Sequence, residues 1–214
     1  MSDVLNHGAY RIDMQFLSRL EGSVSCGYVP SHRRGPRKGE AIGQSGVTVG
    51  IGCDLGGRSE GDLLRLGLPT ALVEKLKPYL GKRRQEAQQA LVSHPLRLSD
   101  AEAGLLSAAI AGEIFARLAG RYNQAIGEVR GTRLFHELPW QAQTAIASVA
   151  YQYGDNLPRA TPRFWAKAIA QDWSALADAL ENFGDSYAAR RRQEAQLLRR
   201  MLTDEDSGCG SAQS

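Results

Sequence analysis

The sequence predicts an α+β fold, a mostly helical body with a small N-terminal β-hairpin lobe and a cleft between them. Three observations carry this expectation. The stretch Gly46-Val47-Thr48-Val49-Gly50-Ile51-Gly52-Cys53-Asp54-Leu55 alternates as a strand does. Val47, Val49 and Ile51 share its apolar face, and Thr48, Gly50, Gly52 and Asp54 share the other. From Arg58 onward, apolar residues recur at helical spacing between capping and stop signals. The chain has 214 residues, 43 % of them hydrophobic, enough for one sizeable core. The expected organisation is one domain over 1–202, its β lobe at about 22–57 and its helical lobe at about 58–202, followed by a disordered polar tail at 203–214.

In chain order, Tyr10 to Leu20 reads as a helix, because Ile12, Phe16, Leu17 and Leu20 form one stripe. Glu21 follows the stripe and Gly22 is its terminator. A carboxylate at a helix C-terminus opposes the dipole, so Glu21 is not where a generic surface Glu is preferred. Residues 22–45 are poor in apolar residues and carry the basic run His32-Arg33-Arg34-Gly35-Pro36-Arg37-Lys38. That run reads as a solvated loop or as a flexible, positively charged flap, and the strand's partner is expected in the same segment. Ser59 with Asp62 caps a short helix closed by Gly67, and a segment from Pro69 reaches about Leu80. A polar-faced helix spans Lys82 to Val92. Ser99 with Glu102 is a capping box that opens a long Ala-rich segment to about Ala119, the expected central buried helix. Pro139 opens Trp140 to Tyr153, and Thr161-Pro162 opens Phe164 to Gln171. Asp172 precedes a helix ending near Gly184, and Asp185 caps a last one from Ser186 to Leu202.

A net charge of +3 favours an anionic polymer over a cationic one without demanding nucleic acid, and no aromatic interleaving or module supports nucleic-acid binding. No secretory leader is evident, and no stretch is expected to span a membrane. Cys26, Cys53 and Cys209 match no zinc motif, although Cys26 and Cys53 are placed where a disulfide would be geometrically testable. The histidines lack ligand spacing, so neither a metal nor a cofactor is expected. No phosphate loop or nucleophile elbow is present.

Two carboxylates, Glu21 and Asp54, and one hydroxyl, Thr48, could converge where the first helix meets the strand. Glycosidic hydrolysis needs this set: one protonated carboxyl to donate to the leaving oxygen and one ionised carboxylate to activate water or face the developing positive charge. Glu21, beside the apolar stripe, is the better candidate for a desolvated acid. Asp54, among Gly52, Gly56 and Gly57, is the expected ionised partner, with Thr48 holding a water against it. Carboxyls far enough apart to admit water would give inversion.

Glu21 at a helix end, then Thr48-Val49-Gly50-Ile51-Gly52, then a helical body is similar to the phage-type lysozymes, in which a Thr-x-Gly-x-Gly strand follows a catalytic Glu. Asp54, six positions past Thr48, looks more like the pesticin-type branch of bacteriocin and type VI secretion effector domains. The family's Glu, Thr and Asp would map onto Glu21, Thr48 and Asp54. Ala142-Gln143-Thr144-Ala145 through Tyr151-Gln152-Tyr153-Gly154 resembles the family's central helix. Phe164-Trp165 and Tyr187 through Arg190-Arg191-Arg192 with Glu194 resemble its C-terminal helices. The resemblance covers roughly residues 10–200, and only the strand motif is specific. Many phage enzymes have a His where this chain has Cys53, and their catalytic Asp precedes the strand, whereas residues 22–45 contain no Asp.

The resemblance implies a lysozyme-like fold and a muramidase cleaving the β-1,4 bond between N-acetylmuramic acid and N-acetylglucosamine. It implies glycan strands of peptidoglycan as partner, with an immunity protein or a secretion-machine carrier as further ones. The place of action would be the periplasm of a target or host bacterium, reached by secretion machinery or lysis. Tyr151, Gln152 and Arg191 become substrate-binding candidates, against the competing readings of aromatic packing and a solvated basic helix face. The alternatives are a chitosan- or chitin-type glycosidase and a non-catalytic module of the same fold that binds cell-wall polymer.

Overall fold

Strands β1 (Leu5–His7) and β2 (Tyr10–Ile12) form an antiparallel hairpin, and helix α1 (Met14–Glu21) follows directly. The computed structural model describes residues 5–7, 10–22, 24–127 and 131–209. The expected helix over Tyr10–Leu20 is therefore corrected at its start. Asp13 is the reason: its Oδ1 accepts the Phe16 N–H at 2.8 Å, which satisfies a first-turn donor and stops the helix from extending backward. Phe16 and Leu17 are buried as the stripe requires.

A three-stranded antiparallel sheet comes next, in the order β3 (Val24–Tyr28), β4 (Thr48–Gly50), β5 (Cys53–Asp54). The glycine-spaced stretch does not continue as one strand. It reverses between Val49 and Cys53, which are ladder partners. Gly50 at φ +66° and Gly52 at φ +91° supply left-handed backbone at the reversal. Gly50 has a second reason to be glycine, since a Cβ there would lie 2.8 Å from Ser107 Oγ. Thr48 is buried along with Val47 and Val49, so the segment is enclosed on both faces and not on the apolar one alone.

A 3-10 turn at Leu55–Gly57 leads to α2 (Glu60–Arg65), α3 (Thr70–Leu76) and α4 (Arg84–Ser93). Ser59 and Asp62 make the predicted capping box, and Ser99 with Glu102 makes the same exchange at the start of α5 (Asp100–Ile126). The sheet, α2–α4 and the first part of α5 form one compact unit, Glu21–Ala111. It extends well past the 22–57 expected for the β lobe. Strands this short need more apolar partners than each other, and Leu55, Leu63, Val73, Leu76 and Leu106 are all buried.

The second unit takes up the rest of the described chain: the β1–β2 hairpin, most of α1, the C-terminal part of α5, α6 (Trp140–Tyr153), α7 (Leu157–Ala160), α8 (Pro162–Ile169), α9 (Trp173–Glu181) and α10 (Ala188–Cys209). The enclosed helix is α6 and not α5: Ala142 through Ala150 are buried without interruption. Its polar members are satisfied. Gln143 accepts from Arg11 N–H and donates to the Leu138 carbonyl, and Thr144 accepts from Asp13 N–H. Tyr122 of α5 packs edge-on against Phe135 and Trp165 and donates to the Ala168 carbonyl, and burial pushes its phenol up to about 12.

Helix α5 is long and apolar enough to cross a membrane on length and composition, which corrects the sequence expectation. Its Leu106, Ala111, Phe115, Leu118 and Tyr122 are nevertheless fully enclosed by protein. The last helix also outruns its expected end at Leu202 and continues to Cys209. Residues 210–214 of the expected tail and the Cys209 side chain lie outside the described residues. Cys26 and Cys53 are both free thiols, so the disulfide considered between them is absent.

Candidate functional site

Thr48 and Asp54 face each other as ladder partners of β4 and β5. Directly opposed residues project to the same side of a sheet, so the hairpin brings together the hydroxyl and carboxylate that an uninterrupted strand would have separated by its full length. Tyr28 of β3 is the Thr48 partner on the other side, which extends the row to Tyr28–Thr48–Asp54. Tyr28 is 43 % exposed, an aromatic face open at the end of this row. Its distance from the motif in sequence, across the 22–45 loop, hid it from the sequence reading.

The Asp54 carboxylate is held by main chain. Its Oδ1 accepts from Gly56 N–H at 2.8 Å and Gly46 N–H at 3.1 Å, and its Oδ2 takes a longer 3.3 Å contact from Gly46. Asp54 thereby caps the 3-10 turn while its residue surface stays exposed. The backbone is crowded around it: a Cβ on Gly46 would fall 2.5 Å from Gly56 Cα and 2.7 Å from Asp54 Oδ1. Gly46→Ala must push these two loop segments apart. A loss of about 1–3 kcal/mol is expected, as for other overpacked sites, and chemical denaturation with unchanged slope would measure it. Arg83 fixes the same loop from behind, its Nε donating to the Gly56 carbonyl at 2.9 Å.

Thr48 is 5 % exposed, and its Oγ1 makes only a long 3.5 Å contact with the Gly46 carbonyl. Glu21, the last residue of α1, is half-buried, with Oε1 shielded from solvent. Three residues on, Val24 pairs with Gly50 at the end of β4, so the helix end leads straight into the edge of the sheet that carries Thr48 and Asp54. All three belong to the unit Glu21–Ala111.

The other three candidates lie in the second unit. Tyr151 and Gln152 are half-buried on α6. Arg191, expected as a cleft contact, is corrected to a core position: it is 1 % exposed. Its guanidinium pairs with Asp185 at 2.9 Å and Glu194 at 2.5 Å and donates to Gln152 Oε1, so Gln152 is engaged in the same network. The cation also sits 4.3 Å from the Phe183 ring centroid. Glu194, fully buried, accepts from Arg190 and Ser148 as well. Burial alone raises the Asp185 pKa, but hydrogen bonds from Arg191, Tyr153 and the Tyr187 N–H, with the Arg191 charge, outweigh it and hold the carboxyl below its ordinary 3.8. Four of the five guanidinium N–H groups are thus engaged by Asp185, Glu194 and Gln152.

A helical chain with a small antiparallel sheet, a glutamate closing its first helix and a threonine and aspartate paired across a glycine-turned hairpin has the layout of a lysozyme-like α+β protein. The chain belongs to the pesticin family: residues 11–174 match the model described as "Pesticin: Bacterial toxin homologue of phage lysozyme, C-term". No curated protein matches it.

Proposed function

We propose that the protein is a muramidase, a glycoside hydrolase that cuts the β-1,4 bond between N-acetylmuramic acid and N-acetylglucosamine, and that it serves as a bacteriolytic toxin. The observation that carries this reading is the pairing of Thr48 with Asp54 in the unit that Glu21 opens. In this scheme Glu21 donates its proton to the leaving glycosidic oxygen. Asp54, oriented by the Gly46 and Gly56 N–H groups, serves as the ionised partner. Thr48, nearly enclosed, is suited to hold one water against Asp54 and not to grip the polymer itself. The Tyr28 ring, open at the end of the row, offers a stacking face to a sugar. The family's description as a toxin homologue supports action in the periplasm of a target bacterium, after delivery by secretion machinery or release by lysis. An immunity protein in the producing cell is the partner such a toxin would require.

Asp54 could be explained by its capping role alone, because main-chain donors already occupy its Oδ1. Asp54→Asn separates the two roles. The amide oxygen can keep accepting from Gly46 and Gly56, so the stability change should stay near 1 kcal/mol. Loss of the charge should lower turnover by about a hundredfold. Wild-type turnover by the variant would confine Asp54 to the cap. Substrate class is tested by reducing-end release from purified peptidoglycan and from chitosan. Hydrolysis of peptidoglycan alone is expected, and comparable turnover of chitosan would overturn the assignment.

A further inference from the structure

The basic run that the catalytic scheme leaves unused forms an ordered surface and not a loose flap. Ser31 bridges Ala41, His32 N–H donates to the Glu40 carbonyl at 2.9 Å, Gly39 N–H returns to the His32 carbonyl, and Ile42 N–H reaches the Pro30 carbonyl. Helix α4 ties this hairpin down from its N-terminal end. Gln88 Nε2 donates to the Gly39 carbonyl at 2.7 Å, Arg84 Nε to the Gly43 carbonyl, and Arg84 N–H to the Ser45 carbonyl. Between the hairpin and α4 lies a shallow depression of about 470 Å³, lined among others by Arg37, Lys38, Arg84, Gln85 and Gln88.

Residues 30–42 and 82–88 hold Arg33, Arg34, Arg37, Lys38, Lys82, Arg83 and Arg84 against Glu40 and Glu86, seven cations to two carboxylates. That is a local +5 in a chain whose total is +3, so all the other residues together are net −2. The Arg and Lys positions are exposed. Arg37 is paired with Glu40, while among the described residues Arg33, Arg34, Lys38 and Lys82 have no carboxylate partner. The surface is also joined to the candidate site, because Arg83 donates to the carbonyl of Gly56, whose N–H holds Asp54.

We infer that this basic face binds the carboxylates of the stem peptides attached to the glycan strand. The inference rests on the muramidase reading for the identity of the polymer. Where a stem peptide is attached, it ties up the lactyl carboxyl of N-acetylmuramic acid as an amide, so the substituted glycan backbone is uncharged and the peptides on alternate sugars carry the polymer's carboxylates. An ordered backbone presenting the cations avoids the cost of arranging them at binding, and charge complementarity of this kind sets selectivity and encounter rate.

The test is cosedimentation with insoluble peptidoglycan sacculi, either native or with their peptide carboxylates converted to neutral amides by carbodiimide coupling. Wild-type protein should be retained on native sacculi about tenfold more than on amidated ones, a sum of a few exposed ion pairs, and added salt should abolish the difference. Arg33→Gln, Arg34→Gln and Lys38→Gln combined should lose that preference, with an unchanged circular dichroism spectrum and a wild-type rate of sugar release from the amidated sacculi. Equal retention of wild type on both sacculi, or full retention of the triple variant on native ones, would overturn the proposal. Charge-dependent retention by a protein that releases no sugar would support the binding face while refuting the hydrolase reading, so the two fail separately.

Discussion

Glu21→Gln should reduce sugar release from purified peptidoglycan by about a hundredfold or more, because an amide cannot deliver the proton that a general acid supplies. The substitution is nearly isosteric at a half-buried helix end, so the fold should survive it. The sign of the stability change is a second readout. Any charge on this side chain would face the negative end of the α1 dipole, an unfavourable interaction of about 0.3–1 kcal/mol that the neutral amide does not incur. Lost activity with an equal or higher melting temperature is the signature of a residue kept for chemistry at some expense in stability. A variant that still cuts at the wild-type rate would remove Glu21 from the mechanism.

The largest stability effect is expected at Arg191→Leu. Removing this cation leaves Glu194, with no exposed surface, and Asp185, at 12 % side-chain exposure, without their principal partner. Breaking one side of a buried ion pair costs about 3–5 kcal/mol, which in a chain of this length corresponds to a fall in melting temperature of about 10 °C. The pH dependence has a definite sign. The Asp185 pKa is lowered in the folded state, so its contribution is present above the ordinary value of 3.8 and is lost as pH falls through the lower folded value. The wild type should therefore lose part of its stability below about pH 4 by this route, and Arg191→Leu should show a flatter acid limb. A variant within about 1 kcal/mol of wild type in denaturant unfolding would contradict the network's role.

The helical body was readable wherever a local signal decides the structure. The capping exchanges at Ser59–Asp62 and Ser99–Glu102 and the Pro139 helix start sit where the sequence places them. Local signals failed where a tertiary partner decides. Asp13 makes the first helix start late because its oxygen is used by Phe16, and Tyr10 and Ile12 join a hairpin whose other strand is an unremarkable LNH. Helix α6 is enclosed from Ala142 through Ala150, yet at 14 residues it lacks the length that singles out the 27-residue α5 in the sequence. At the site, the types and spacing of Thr48, Gly50, Gly52 and Asp54 suggested one continuous strand, and the chain instead turns back within the motif. Thr48 and Asp54 meet through that reversal, and the glycines serve the turn. The family resemblance, and no local signal, suggests Arg191 as a substrate contact, and nothing in the local sequence shows that Asp185, Glu194 and Gln152 close around it.

Mass spectrometry of the soluble fragments released from purified peptidoglycan bears most directly on the glycosidase assignment. A muramidase produces saccharide–peptide fragments that end in N-acetylmuramic acid at the reducing terminus, with their amide bonds intact. New N-acetylglucosamine reducing ends, or free peptides without any new reducing end, would contradict it.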